Sequence, residues 1–189
     1  MKKALFLIIL ILTFSCEKSE NQIYVEELKW SLSIPNEFER VLIKNFEKTK
    51  EKGIKLIESA YPKKKVTIVS RNLFNYNNGK FNSIKAQITE LNSEQTFEDE
   101  FKRANEIVIK SLTKKKPKSE FEQNVNKVII DGLEFQTFSL KTLNKSGKNY
   151  ELKVYSKMFG IKKLDIIIVN NDNKKKELIE NRILSSKFE

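Results

Sequence analysis

Histidine is absent from this chain, and cysteine occurs once, at Cys16. Without an imidazole there is no Ser–His–Asp triad, no Cys–His pair and no histidine metal site. Carboxylates, amines and phenols are what remain for chemistry. The four aspartates are Asp99, Asp131, Asp165 and Asp172. Asp99 and Asp172 stand where helices would begin, and Asp131 precedes a glycine in a turn. Asp165 sits in an apolar run, where a buried carboxylate must be paired or protonated; a strand-end position beside Lys162 or Lys163 is the plainer reading. Glu26–Glu27 and Glu98–Asp99–Glu100 are the carboxylate clusters. Paired carboxylates serve general acid–base chemistry in a cleft, but adjacent residues on a helix point apart, so a solvated face is the simpler role. The five glycines are isolated and form no phosphate loop. The residue types therefore predict no catalytic residue, no metal and no cofactor.

Other residues suit binding rather than chemistry. Phe74, Tyr76 and Phe81 bracket the Asn-rich turn Asn77–Asn78–Gly79, either as cross-strand core pairs or as an exposed hairpin tip for a partner or glycan. Trp30 reads as a core anchor. The lysine runs 63–65, 114–116 and 174–176 fall at element ends or in loops; solvated there, they could also face anionic lipid. The net charge of +11 invites a nucleic-acid partner. However, it comes from 32 lysines against 4 arginines, alongside 18 asparagines. That is what AT-rich codons produce, and the residue that grips phosphate with a fork is scarce. No nucleic-acid partner is expected.

The start of the chain is an address. Lys2 and Lys3 precede an unbroken apolar run from Ala4 to Leu12, and the chain turns polar at Glu17. This is the layout of a secretory signal, and the apolar stretch is too short for a spanning helix of about 20 residues. The cysteine placed directly after Ser15 resembles the lipobox of bacterial lipoproteins, with Thr13 where that family usually has Leu. The resemblance implies that residues 1–15 are removed and that Cys16 carries lipid. The alternative is ordinary cleavage that leaves a free thiol at Cys16. Lipidation implies a membrane anchor in the cell envelope, on the periplasmic or cell-surface side, with residues 16–26 as a flexible tether.

One domain, 27–189, follows. Leu28, Trp30, Leu32 and Ile34 alternate with polar residues as a half-buried strand ending at Pro35. From Asn36 the spacing of Phe38, Val41, Leu42 and Phe46 predicts a helix, with a continuation toward Tyr61. A strand from Val66 to Tyr76 and a return from Phe81 to Leu91 flank the turn at Gly79. Thr96 and Asp99 start a second helix with a stripe of Phe97, Phe101, Ala104, Val108 and Leu112. It ends at Lys114–Lys115–Lys116–Pro117. Strands then follow at 125–130, 133–143, 150–158 and 164–169, the last apolar enough to be covered on both faces. Asn171 or Asp172 caps a final helix carrying Leu178, Ile179, Ile183 and Leu184.

This order predicts an α+β fold, an antiparallel sheet of about six to seven strands flanked by three helices. The opening strand running into "IPNEF", the helix "TFEDEFKRANEIVIKSL", the turn "IIDGLEF" and the closing "ILSSKF" resemble PsbP-like folds. That resemblance implies an α/β/α sandwich of accessory or binding type and carries no specific function. The expected role is a non-catalytic envelope lipoprotein that binds another envelope component. The alternative is a lipoprotein holding a small molecule or glycan.

Overall fold

The computed structural model describes residues 20–41, 51, 54, 55, 58, 70–91, 96–117, 119–143 and 149–189. Their backbone is α+β with two antiparallel sheets. The strands of the larger sheet are β3 (Glu39–Arg40), β4 (Ser70–Asn77), β5 (Ser83–Glu90), β6 (Glu120–Ile130), β7 (Leu133–Leu143), β8 (Tyr150–Phe159) and β9 (Lys162–Asn170). Its seven strands lie in the order β3-β4-β5-β9-β8-β7-β6. Tight turns set the register. Gly79 (φ +71°) and Gly132 (φ +77°) take left-handed backbone, and Asp131 at φ +49° joins Gly132 in the two-residue β6–β7 loop.

Strands β1 (Asn21–Val25), β2 (Trp30–Ile34) and β10 (Lys187–Phe188) form the second sheet, in the order β1-β2-β10. Two expectations are corrected here. Residues 21–25, expected in a flexible segment, form a strand instead: Asn21–Val25 pairs residue by residue with β2. The opening strand does not join the main sheet. The predicted alternation is present, with Leu28, Trp30, Leu32 and Ile34 all buried. That apolar face packs onto Ile84, Ala86, Ile88, Leu164, Ile166 and Ile168 of the large sheet, so β2 lies across the core rather than alongside a strand of that sheet. Trp30, 0% exposed, is the anchor; its ring stacks on Phe188 at 5.7 Å and tilts against Phe74 at 5.6 Å.

Two helices, not three, are defined end to end among the described residues. Helix α1 (Phe97–Lys115) covers the opposite face of the large sheet. Its Phe97, Phe101, Val108, Ile109 and Leu112 pack on Phe138, Leu140, Leu152 and Val154. Thr96 caps it as predicted, accepting from the Asp99 N–H at 3.2 Å, and Lys114 and Lys115 fill the last turn. Helix α2 (Asn173–Leu184) sits beside β2 and buries Ile179 and Ile183 in the main core. Its cap is Asp172, whose Oδ1 accepts from the N–H groups of Lys174 and Lys175. The helix expected from Asn36 is absent at its start. Residues 36–38 turn, Glu39–Arg40 pairs with β4 as β3, and Val41 N–H donates to the Asn75 carbonyl at 2.9 Å. Pro35 had already turned the chain, and the open edge of β4 gave its backbone a partner. The rest of that expected helix lies outside the described residues except Glu51, Ile54, Lys55 and Glu58, which are helical.

Strand β9 is covered on both faces, as its continuous apolar run predicted. Leu164, Ile166 and Ile168 face the main core, while Lys163 and Asp165 face the α1 side.

Candidate functional site

The residues singled out by chemistry type are dispersed. Asp99, Asp131 and Asp172 serve a helix start, a turn and a helix cap. Cys16 and the run 63–65 lie outside the described residues. Lys116, at the end of the run 114–116, lies over the Tyr150 ring at 4.8 Å. In the run 174–176, Lys175 Nζ donates to Asn78 Oδ1 at 2.9 Å and Lys176 pairs with Glu151 at 2.7 Å. Phe74 and Tyr76 are core residues with their rings 6.2 Å apart. Phe81 is 37% exposed and meets Tyr150 edge-on at 5.0 Å. Among the described residues, no group of three acidic or cysteine side chains is placed to hold a metal, and no helix is long and apolar enough to cross a membrane.

Asp165 is the exception the sequence flagged. It is not a strand-end residue; it lies mid-strand and is 6% exposed. Lys163 Nζ stands 3.2 Å from its Oδ2, and Ser156 Oγ donates to its Oδ1 at 2.6 Å. Glu100 of α1 approaches Lys163 at 3.9 Å and is also held by Arg103. The carboxylate clusters thus divide: Glu100 turns inward to this network, while Glu98 is exposed. Each charge has an opposite charge beside it, so the network neutralises itself.

A second buried group lies on the α2 side. Tyr155 is 1% exposed, and burial, followed by the negative charges of Glu180 and Glu151, pushes its phenol far above its ordinary range. It stays protonated at physiological pH. Lys153, paired with Glu180 at 2.8 Å, covers its ring at 5.1 Å.

A groove of about 520 Å³ lies between the two sheets. One wall is residues 22–27 and the other residues 71–74, with Arg40 and Tyr76 at one end. Alternate residues of a strand point to opposite faces. An uninterrupted run along each wall therefore means that the strand edges themselves line it. β1 pairs only with β2, and Ser70–Phe74 of β4 has no strand on its outer side among the described residues. The β4 wall is bulged between Asn72 and Phe74, a device that re-aims side chains beside sites. Asn72 Oδ1 is buried there without a hydrogen-bond partner.

The groove is charged as well. It holds Arg40 and Arg71, two of the four arginines in the chain, together with Glu26 and Glu27. Glu27 bridges Arg71 and, at 3.0 Å, Lys162, which ties the turn after β1 to β4 and β9. Arg40 is exposed and has no carboxylate partner among the described residues. The sequence reading took Glu26–Glu27 as a solvated pair and gave no role to Arg40 or Arg71. The two arginines are 31 positions apart, and the β3–β4 pairing is what brings their strands together.

No protein-family model matches the chain, and no curated protein sequence does. Among solved structures it is similar to cyanobacterial PsbP (CyanoP) from Synechocystis sp. PCC 6803. The TM-score is 0.56 and the identity 12%, covering 94% of this chain and 99% of that one. A Bacteroides thetaiotaomicron VPI-5482 structure gives TM-score 0.43 at 10% identity, over 85% of this chain and 45% of that one. The Saccharomyces cerevisiae Ran-binding protein Mog1p gives 0.44 at 13%, over 90% and 96%. The first of these defines the fold as PsbP-like; at that identity the likeness concerns fold alone.

Proposed function

We propose that this chain is a lipid-anchored protein of the cell envelope that binds, without catalysis, an extended segment of another envelope component, and that the groove between β1 and β4 is where it binds. The observation that carries the reading is the pair of unpaired strand edges facing one another across the groove. Main-chain N–H and C=O groups along such an edge recruit an added strand, and side chains beside it select the sequence. Arg40 supplies an exposed guanidinium, with no carboxylate partner among the described residues, for an acidic side chain, and Asn72 Oδ1 an acceptor awaiting a donor. The anchor rests on the arrangement of residues 1–16.

The second reading, a small molecule or glycan in the same groove, is favoured by its volume, which lies within the range of ligand pockets of roughly 300–1,000 Å³. The test is a photo-crosslinking amino acid placed at Tyr24, which is 56% exposed on the groove wall, in intact cells. Leu143, on β7 toward the opposite edge of the large sheet, serves as the control position. Capture of one envelope protein from position 24, lost with Arg40→Glu and absent at 143, supports the first reading. A small-mass adduct confined to position 24 supports the second. Equal capture at both positions removes the groove as the site.

A further inference from the structure

We propose that β6 is a self-association edge, through which two copies of the chain join their large sheets by antiparallel pairing centred on Val125. The strand is the last in the sheet, eleven residues long, and has no partner on its outer side among the described residues. It is exposed along most of its length, including Val125 at 59% and Ile129 at 60%. Long exposed strand edges are ordinarily blunted or covered, because their free backbone groups template further pairing.

The spacing of side chains selects the second copy as the occupant. Phe121, Val125 and Ile129 fall four residues apart on one face of the strand, the face that α1 covers further in, since Phe121 packs with Phe138 and Leu140. A two-fold axis normal to the sheet keeps that face in common. With the axis at Val125, Phe121 of one copy stands opposite Ile129 of the other, and Val125 stands opposite itself. The two exposed apolar positions, Val125 and Ile129, and the half-buried Phe121 are then covered at once. Centring the axis on Gln123 leaves Ile129 bare, and centring it on Lys127 sets the lysines of the two copies directly opposite each other.

The backbone agrees with this register. In a two-residue hairpin the residues flanking the turn exchange hydrogen bonds, so Ile130 and Leu133 do so here. Even-numbered residues of β6 therefore point their main-chain groups at β7. Consistent with this, the Asn126 carbonyl lies on the β7 side, where it accepts from Thr137 Oγ1 at 3.2 Å. Phe121, Gln123, Val125, Lys127 and Ile129 point theirs outward, and these are the residues that meet in the Val125-centred pairing. Electrostatics do not oppose it. Lys127, the cation on this face of the strand, is already paired with Glu134 at 2.8 Å and would lie opposite the neutral Gln123.

The test uses the full chain in detergent micelles. Sedimentation should give twice the protein mass for the wild type and the single-chain mass for Val125→Lys, with unchanged circular dichroism because position 125 is exposed. In a Cys16→Ala background, mild oxidation should convert Val125→Cys to a disulfide-linked dimer. Gln123→Cys should react about tenfold more slowly, because its counterpart is displaced by four residues, roughly 13 Å, beyond disulfide reach. A wild type that stays monomeric at high micromolar concentration, or equal crosslinking at positions 123 and 125, would overturn the proposal.

Discussion

Ser156 Oγ donates a 2.6 Å hydrogen bond to Asp165 Oδ1 across the β8–β9 pair, while Lys163 Nζ lies 3.2 Å from the other oxygen of the same carboxylate. The two charges come from one strand, two residues apart, and so share a face. Each is less than one-tenth exposed. A buried ion pair is a weak source of stability, but half of one is a liability, since the survivor keeps its desolvation penalty.

Asp165→Ala should therefore destabilise the fold by roughly 3–5 kcal/mol, because Glu100 at 3.9 Å is a poor replacement partner for Lys163. Replacing both, as Lys163→Met with Asp165→Leu, should restore most of that loss. Urea unfolding of the three proteins checks this. Equal losses in the single and double variants would mean that packing, not charge, explains the effect.

The end of the chain should let go in acid. Asp131, in the β6–β7 turn, accepts from Lys187 Nζ at 2.9 Å and from the Phe188 N–H at 2.8 Å, which holds its carboxyl below the ordinary 3.8. A depressed carboxylate pKa contributes stability above its unfolded value and loses it as pH falls through the folded one. Amide-exchange protection at Phe188 and Glu189 should thus be constant at neutral pH and fall below about pH 4. In Asp131→Ala it should be low throughout. Protection in that variant equal to wild type at pH 7 would show that Trp30 stacking alone holds β10.

Cys16→Ala should move the protein from the membrane to the soluble fraction, since two or three acyl chains hold where one is marginal. Fractionation and acyl labelling measure this. A membrane fraction unchanged by the substitution, with no label in the wild type, would leave the N-terminal segment itself as the anchor.

Much of the scaffold was legible because short-range rules govern it. Thr96 and Asp172 act at helix starts within three residues of themselves, and the Asp131–Gly132 and Asn78–Gly79 turns are local chemistry. The alternation Trp30–Leu32–Ile34 marked a buried face correctly. It could not say whether that face would lie beside another strand or across a sheet, since both bury the same side chains. The helix misread at Asn36 has the same origin: Phe38 and Val41 fit a helical spacing, but the open edge of β4 at Asn75 offered the backbone hydrogen bonds instead.

The candidate site was the least legible part. Arg40, Arg71 and Glu27 each read as surface charges, and nothing in their spacing links them. By itself, the sequence determined the absence of imidazole chemistry, the signal-like arrangement ending at Cys16, the α+β class and most element boundaries, because composition and periodicity act locally. Tertiary structure alone decided that two strand edges would face each other across a groove, that Asp165 would be buried with Lys163, and that β6 would have no partner on its outer side among the described residues. These depend on which distant segments pack together, and that choice is made by the whole core.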